Sequence, residues 1–200
     1  MSSSTWGHEY GKFYIDHTSC TREVGTLRQE SDRRARELYD GNNKIMLCLS
    51  SGLDSQIALH SFKSQGIPLE CAFLHLKGYN DNELANVKIL EKKYGFKTNY
   101  IVELDPMALK EQLQAMTKEL DAHANHCLQH LFVSQLPKDY DIVQVLHDPW
   151  IITSKALKSH FLFQSYYDPE IARFRVLDAI PREGKIQMFG DTSEYLLSSI

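Results

Sequence analysis

No two of the four cysteines, Cys20, Cys48, Cys71 and Cys127, stand as a C-x-x-C pair. That scatter excludes a close-spaced dithiol or zinc motif, and Cys48 and Cys71, set inside apolar runs, read as reduced core residues. No apolar run approaches the ~18 residues of a membrane span, and no charged segment at the start leads into an apolar one. The expectation is a soluble, cytoplasmic protein without a membrane partner. Positive charge is not in excess either. The net charge of −4 excludes wholesale coating of nucleic acid; RNA binding through a local basic patch stays open, with nothing indicating it. Internal repeats and low-complexity tracts are missing, which excludes repeat architectures. No G-K-[ST] triplet occurs, so a Walker-type phosphate loop is excluded as well.

What is present is an ordinary globular composition, 42% hydrophobic and 24% charged, in 200 residues. That length suits one domain with a proper core and a short arm at either end. Residues 1–20 are polar and aromatic with little periodicity and read as an arm. Residues 21–39 carry many charges around sparse apolar positions (Val24, Leu27, Ala35, Leu38) and read as a surface helix packed along one stripe. Asp40-Gly41-Asn42-Asn43 breaks it. Residues 44–49 (KIMLCL) form a short apolar run, the mark of a strand buried on both faces.

From there the pattern alternates. It predicts a helix over 56–65, a strand over 69–76, a helix over 82–94 and a strand over 97–104. Asp105-Pro106 supplies an N-cap and a first-turn proline for a helix running to about residue 120. A helix over 125–136 and a strand over 141–146 follow. The order β-α-β-α-β-α-α-β predicts an α/β fold, a Rossmann-like parallel sheet flanked by helices. Beyond Trp150 the periodicity weakens: 154–166 reads as a helix, 174–180 and 185–189 as a pair of strands, and 193–200 as a closing helix. The chain thus divides into an arm and helix (1–43), an α/β domain (44–150) and a C-terminal extension packing on the same domain (151–200).

The chemistry concentrates at Ser50-Ser51-Gly52-Leu53-Asp54-Ser55, which leaves the first strand of the sheet and enters a helix. Ligands of open α/β sheets sit at the carboxyl ends of strands. Backbone N–H groups and the helix dipole there offer a phosphate site. Gly52 lets an anion come close, and Ser50 and Ser55 add hydroxyl donors. Asp54 would repel phosphate unless it holds a magnesium ion or caps backbone donors.

The stretch from Ile45 to Ser55 resembles the pyrophosphate loop of the N-type ATP pyrophosphatases, strand-S-G-G-x-D-S-helix. This superfamily, of adenine nucleotide alpha hydrolase-like fold, includes asparagine synthetase, ammonia-dependent NAD synthetase and 7-cyano-7-deazaguanine synthase. Ser50, Gly52, Asp54 and Ser55 match the motif, and Ser51 replaces its middle glycine. The likeness extends at lower specificity to about Trp150. It implies ATP and Mg2+ as cofactors, with adenine lying against Phe73, Leu74 and His75 at the end of the second strand. His147 and Asp148 then sit where the loop after the fourth strand carries polar or acidic groups, Asp148 joining Asp54 as a metal ligand. The resemblance further implies that Lys155 or Lys158 neutralises developing charge beside a catalytic Asp54.

The reaction so implied is adenylation of a carbonyl or carboxylate acceptor with release of pyrophosphate. Ammonia, an amine or a sulfur nucleophile then displaces AMP. The expected partners are a small-molecule or nucleobase acceptor and a nitrogen- or sulfur-donating protein, with homo-oligomers compatible. A catalytically degenerate adenine-nucleotide-binding module, sensor or subunit, is the alternative, kept open by Ser51; a purely structural α/β protein is a third. The cluster His123, His126, Cys127, His130 shares one helix face, yet a single helix rarely surrounds a tetrahedral ion, so a polar face with buried Cys127 is the preferred reading. Arg28, Arg33, Arg34 and Arg36 are offset by Glu30, Asp32 and Glu37 and read as a salt-bridged surface.

Overall fold

The computed structural model describes residues 23–145, 176–177 and 179–189, together with the strand backbones at 2–8, 11–17, 151–152 and 160–161. At the amino end, β1 (Ser2–His8) and β2 (Gly11–His17) pair as an antiparallel hairpin. The arm expected there therefore contains regular structure, formed by segments without an alternating apolar pattern. Helix α1 (Leu27–Leu38) starts later than the sequence suggests because Thr26 caps it. The Thr26 hydroxyl accepts from the Gln29 amide, and the Gln29 side chain accepts from the Thr26 amide at 2.8 Å, a reciprocal capping box.

Strands β3 (Lys44–Leu49), β4 (Leu69–Leu76), β5 (Thr98–Leu104) and β6 (Tyr140–Val145) alternate with helices α2 (Leu53–Ser64), α3 (Asp81–Tyr94), α4 (Lys110–Glu119) and α5 (Ala124–Ser134). Two short strands, β7 (Ile151–Ile152) and β8 (His160–Phe161), pair antiparallel, so residues 160–161 are extended where a helix is expected. The remainder of that stretch, and residues 193–200, lie outside the described residues. The last strand is β9 (Ile186–Phe189). The main sheet has the order β5-β4-β3-β6-β9, and every neighbouring pair in it is parallel. The fold is thus α/β with a five-stranded parallel sheet flanked by helices.

Each face of this sheet is covered. On one, Ile45, Leu47 and Leu49 pack with Ala35 and Leu38 of α1 and with Ala58, Leu59 and Phe62 of α2. On the other, Met46, Ala72 and Ile142 meet Phe132, Val133 and Leu136 at the end of α5. Leu113 of α4 and Cys127 and Leu128 of α5 extend that layer to Leu104. This double burial explains why β3 reads as an apolar run and why the adjacent Ile142 and Val143 of β6 are both fully buried. On β5, the edge strand, Cys71 of β4 faces Thr98 while Ala72 faces Tyr100, so Asn99 is an extra, exposed residue. Such bulges blunt sheet edges.

The carboxyl-terminal part differs from expectation. Residues 174–180 do not form a strand where they are described: 176–177 are helical, and Val176 and Leu177 are fully buried. Consequently β9 does not pair with that stretch but runs parallel to β6, as the outer strand of the main sheet. Asp141 fixes this junction. Its buried carboxylate accepts from the Lys185 amide (2.6 Å), Gln187 Nε2 (2.9 Å) and Asn43 Nδ2 (2.7 Å). Gly184 is required here by close approach, since a Cβ would fall 2.0 Å from the Tyr140 carbonyl oxygen. Arg182 adds donors to the carbonyls of Pro137 (2.9 Å) and Tyr140 (2.8 Å).

Candidate functional site: the loop between β3 and α2

Strand order places this loop at the one position where an open α/β sheet leaves room for a ligand. From β3 the chain passes through α2 to β4 on one side, while β6 on the other side is reached through helices on the opposite face. The sheet continues from β3 to β4 on one side and from β6 to β9 on the other, so the strand order reverses between β3 and β6, a topological switch point. Ser50 follows β3 directly, and α2 starts at Leu53, inside the motif rather than after it. Leu53, Asp54 and Ser55 thus form the first helical turn.

The two serines hold the loop from within. The Ser50 amide donates to Ser55 Oγ at 3.1 Å, and the two hydroxyl oxygens lie 2.8 Å apart in a shared hydrogen bond. The Gly52 amide donates to Ser50 Oγ at 3.2 Å. Gln56 Nε2 donates to the Ser51 carbonyl at 3.2 Å. Gln56 is a supporting residue that the motif reading misses, although its place right after Ser55 puts it one helical turn from Ser51. Ser55 is buried and Ser50 half-buried, so the loop is anchored beneath and open above.

Gly52 is the N-cap of α2 and provides no side-chain hydrogen bond to it. Its backbone, φ −67° and ψ 158°, is open to any residue, and a Cβ would meet only Ser50 Oγ, at 3.2 Å. The backbone itself does not demand glycine, and a residue without a side chain adds no cap to the helix start. The first-turn amides of a helix have no intrahelical acceptor, and together with the dipole they attract anions. Ser51 does not adopt a positive φ: Asp121, at φ 45°, is the described non-glycine residue that does. The serine that departs from the motif therefore costs no backbone strain. Asp54, half-buried in the first turn, is placed favourably against the helix dipole.

The neighbouring strand β4 presents the other expected residues unequally. Phe73 lies beside Leu49 in the register and is 1% exposed, so its ring belongs to the core. Leu74 is half-buried on the α4–α5 face. His75 lies between two carboxylates: Nε2 is 2.6 Å from Asp81 Oδ1 at the head of α3, and Nδ1 is 3.0 Å from Glu103 Oε2 on β5. The Asp81 hydrogen bond, supported by Glu103 against a smaller opposing effect of burial, raises the histidine pKa, and His75 in turn lowers that of Asp81. Neither carboxylate is singled out by the sequence, because the pairing of His75 with Glu103 depends on strand register. His147, Asp148, Lys155 and Lys158 lie outside the described residues.

Elsewhere, His126 and Cys127 on α5 are buried, and burial lowers the pKa of His130. Among the described residues no group of three His, Cys, Asp or Glu side chains is placed to hold a metal ion. Three arginines of α1 are paired as their sequence implies, with Arg28 to Asp32 at 2.9 Å, Arg34 to Glu37 at 3.3 Å and Arg33 to Glu30 at 3.8 Å, while Arg36 donates to the Gln65 side-chain carbonyl. No described helix is long and apolar enough to cross a membrane.

The sequence matches no protein-family model and no curated protein. Among solved structures, it is similar to the NH3-dependent NAD synthetase from Campylobacter jejuni subsp. jejuni NCTC 11168, determined in complex with the nitrate ion. The TM-score is 0.42 at 14% identity, over 58% of this chain and 54% of that one. The chain thus spans about half the length of that protein.

Proposed function

We propose that the loop at Ser50–Ser55 binds the phosphates of ATP and that the chain is a magnesium-dependent, adenylating synthetase of the ATP pyrophosphatase type. The observation that carries this reading is an uncapped helix start at the switch point of the sheet, headed by a glycine that its own backbone does not require. In this reading the first-turn amides of α2 hold the pyrophosphate group, and Ser50 and Ser55 keep the loop in shape. Asp54 fits a magnesium ion that takes one or two carboxylates and completes its shell with phosphate oxygens and water. The ion would offset the phosphate charge; Asp148 is the second proposed ligand.

The proposed chemistry balances in two steps. An acceptor carbonyl or carboxylate oxygen bonds to the α-phosphorus of ATP, and the bond to the β-phosphate oxygen breaks, releasing pyrophosphate. An amine, ammonia or a sulfur nucleophile then attacks the activated carbon, and AMP leaves. Lys155 and Lys158 are proposed to neutralise charge on the transferred group, and His75 and His147 to border the nucleotide. The acceptor is proposed to be a small molecule or nucleobase. Ser51, the feature on which the degenerate-module alternative rests, departs from the motif without a positive φ.

Calorimetric titration with ATP and magnesium tests the site. The expected result is magnesium-dependent binding with Kd of about 1 μM to 1 mM, typical of enzyme substrates, collapsing in a folded Asp54→Ala variant. No heat from ATP or AMP with intact protein, alone or with candidate acceptors, overturns it. Binding without release of AMP and pyrophosphate across a screen of carboxylates, amides and nucleobases would favour the non-catalytic module.

A further inference from the structure

Beside the proposed nucleotide site, the cluster at the carboxyl end of β4 has its own chemistry. Each nitrogen of the His75 ring faces a carboxylate oxygen, Asp81 on one side and Glu103 on the other. Ionised carboxylates only accept hydrogen bonds, and a neutral imidazole has a single N–H to give. Both contacts therefore exist together only when the ring carries two protons. We infer that His75 is a proton-gated clamp: as imidazolium it ties the head of α3 to β5, and loss of one proton releases one of the two carboxylates.

The geometry says which one leaves. The contact to Asp81 is 0.4 Å shorter than the contact to Glu103, as 2.6 Å against 3.0 Å. The neutral ring therefore keeps its proton on Nε2 for Asp81 and turns a bare Nδ1 lone pair toward Glu103. The His75 side chain is 12% exposed and rooted in a paired strand, whereas Asp81 and Glu103 are 65% and 58% exposed. The ring cannot swing into water, but Glu103 can, and hydration offsets its lost partner. The charges acting on His75 among the described residues are those of Asp81 from α3 and Glu103 from β5, both negative.

The turn beneath α3 does not depend on the proton. Asn80 Oδ1 accepts from the Leu76 amide at 2.7 Å, and Asn80 Nδ2 donates to the Leu74 carbonyl at 2.9 Å. The Lys77 amide also donates to the Leu104 carbonyl at 3.0 Å. What the proton controls is thus the side-chain link from α3 to the edge strand, not the path of the chain. Because the folded pKa of His75 is raised, the stabilisation is complete below the ordinary histidine value. It is lost as pH rises through the raised one.

The test is NMR titration of the whole chain, following the His75 ring nitrogens together with the side-chain carboxyl carbons of Asp81 and Glu103. The expected result is a His75 midpoint above that of an unperturbed histidine, with both nitrogens protonated below it. The Glu103 carboxyl signal should move in step with that midpoint, and Asp81 should follow it less. Asp81→Asn should lower the midpoint more than Glu103→Gln, and either should still fold because both sites are exposed. A midpoint at or below the unperturbed value overturns the inference, and so does a Glu103 signal that ignores it. Equal midpoints in wild type and both variants would overturn it also.

Discussion

Helices α1 and α2 pack together on one face of the sheet, yet their first turns are finished in opposite ways. The start of α1 is closed by its own residues: the Thr26–Gln29 capping box takes two amides, and the buried Glu30 carboxylate accepts from the Gly25 amide at 2.8 Å. The start of α2 has glycine at the capping position and no side-chain cap. Where stability alone is served, a chain places Thr, Gln and Glu at such a position, as it does at α1. Leaving the second start bare gives up a few tenths of a kcal/mol relative to a good cap. The open end also coincides with the switch point of the sheet, and that coincidence is what supports the proposed ligand site there.

The comparison breaks most visibly if α2 is given the kind of cap that α1 has. In Gly52→Asp the new carboxylate would take a first-turn amide and repel phosphate. We expect ATP affinity to fall about a hundredfold, or about 2.7 kcal/mol, while thermal unfolding shows unchanged or slightly raised stability. Loss of stability together with affinity would mean that the glycine serves the fold. At the closed end, Glu30→Ala strands the Gly25 amide in a part-buried site and should cost about 2 kcal/mol in urea unfolding, with ATP binding unaltered. The smallest effect expected is that of Thr26→Ala, about 1 kcal/mol in the same measurement, again without effect on the nucleotide. An ATP affinity that tracked either α1 variant would join the two ends that the comparison separates.

Much of this was legible in the sequence where the signal is local. The strand predicted at 44–49 is β3 to the residue, because an apolar run bounded by Asn and Ser has a single buried solution. The strand at 69–76 is likewise β4. The start of α2 was placed three residues late, since Ser-Ser-Gly-Leu-Asp-Ser has turn composition and no capping side chain to mark the boundary. The start of α4 was placed early for a related reason: Asp105 does cap, accepting from the Met107 amide at 2.9 Å, but it caps a separate turn ahead of the helix. Position 189 illustrates the limit. Residues 185–189 read correctly as extended, but their partner β6 lies more than forty residues back in sequence, and periodicity carries no information about partners at that distance.

The candidate site divides the same way. Its loop stands out in the sequence because serine, glycine, aspartate and serine come in that order directly after an apolar strand. The orientation of Phe73 does not, because alternate residues of a strand face opposite layers and only the assembled sheet says which layer is filled. The His75 clamp was hidden for a different reason: Glu103 is its neighbour through strand register alone.

The carboxylate of Asp141 has a consequence for the order in which the molecule is made. Its acceptors are filled by Asn43 on one side and by Lys185 and Gln187 on the other, and the latter two follow it by 44 and 46 residues. A ribosome releases the amino-terminal partner first and the other two only after more than forty further residues. Until then a group destined for the interior is left with one of its three donors, and β6 waits as a provisional edge. The junction is therefore sealed late, when a short distal strand both covers that edge and supplies donors to the buried carboxylate beside it.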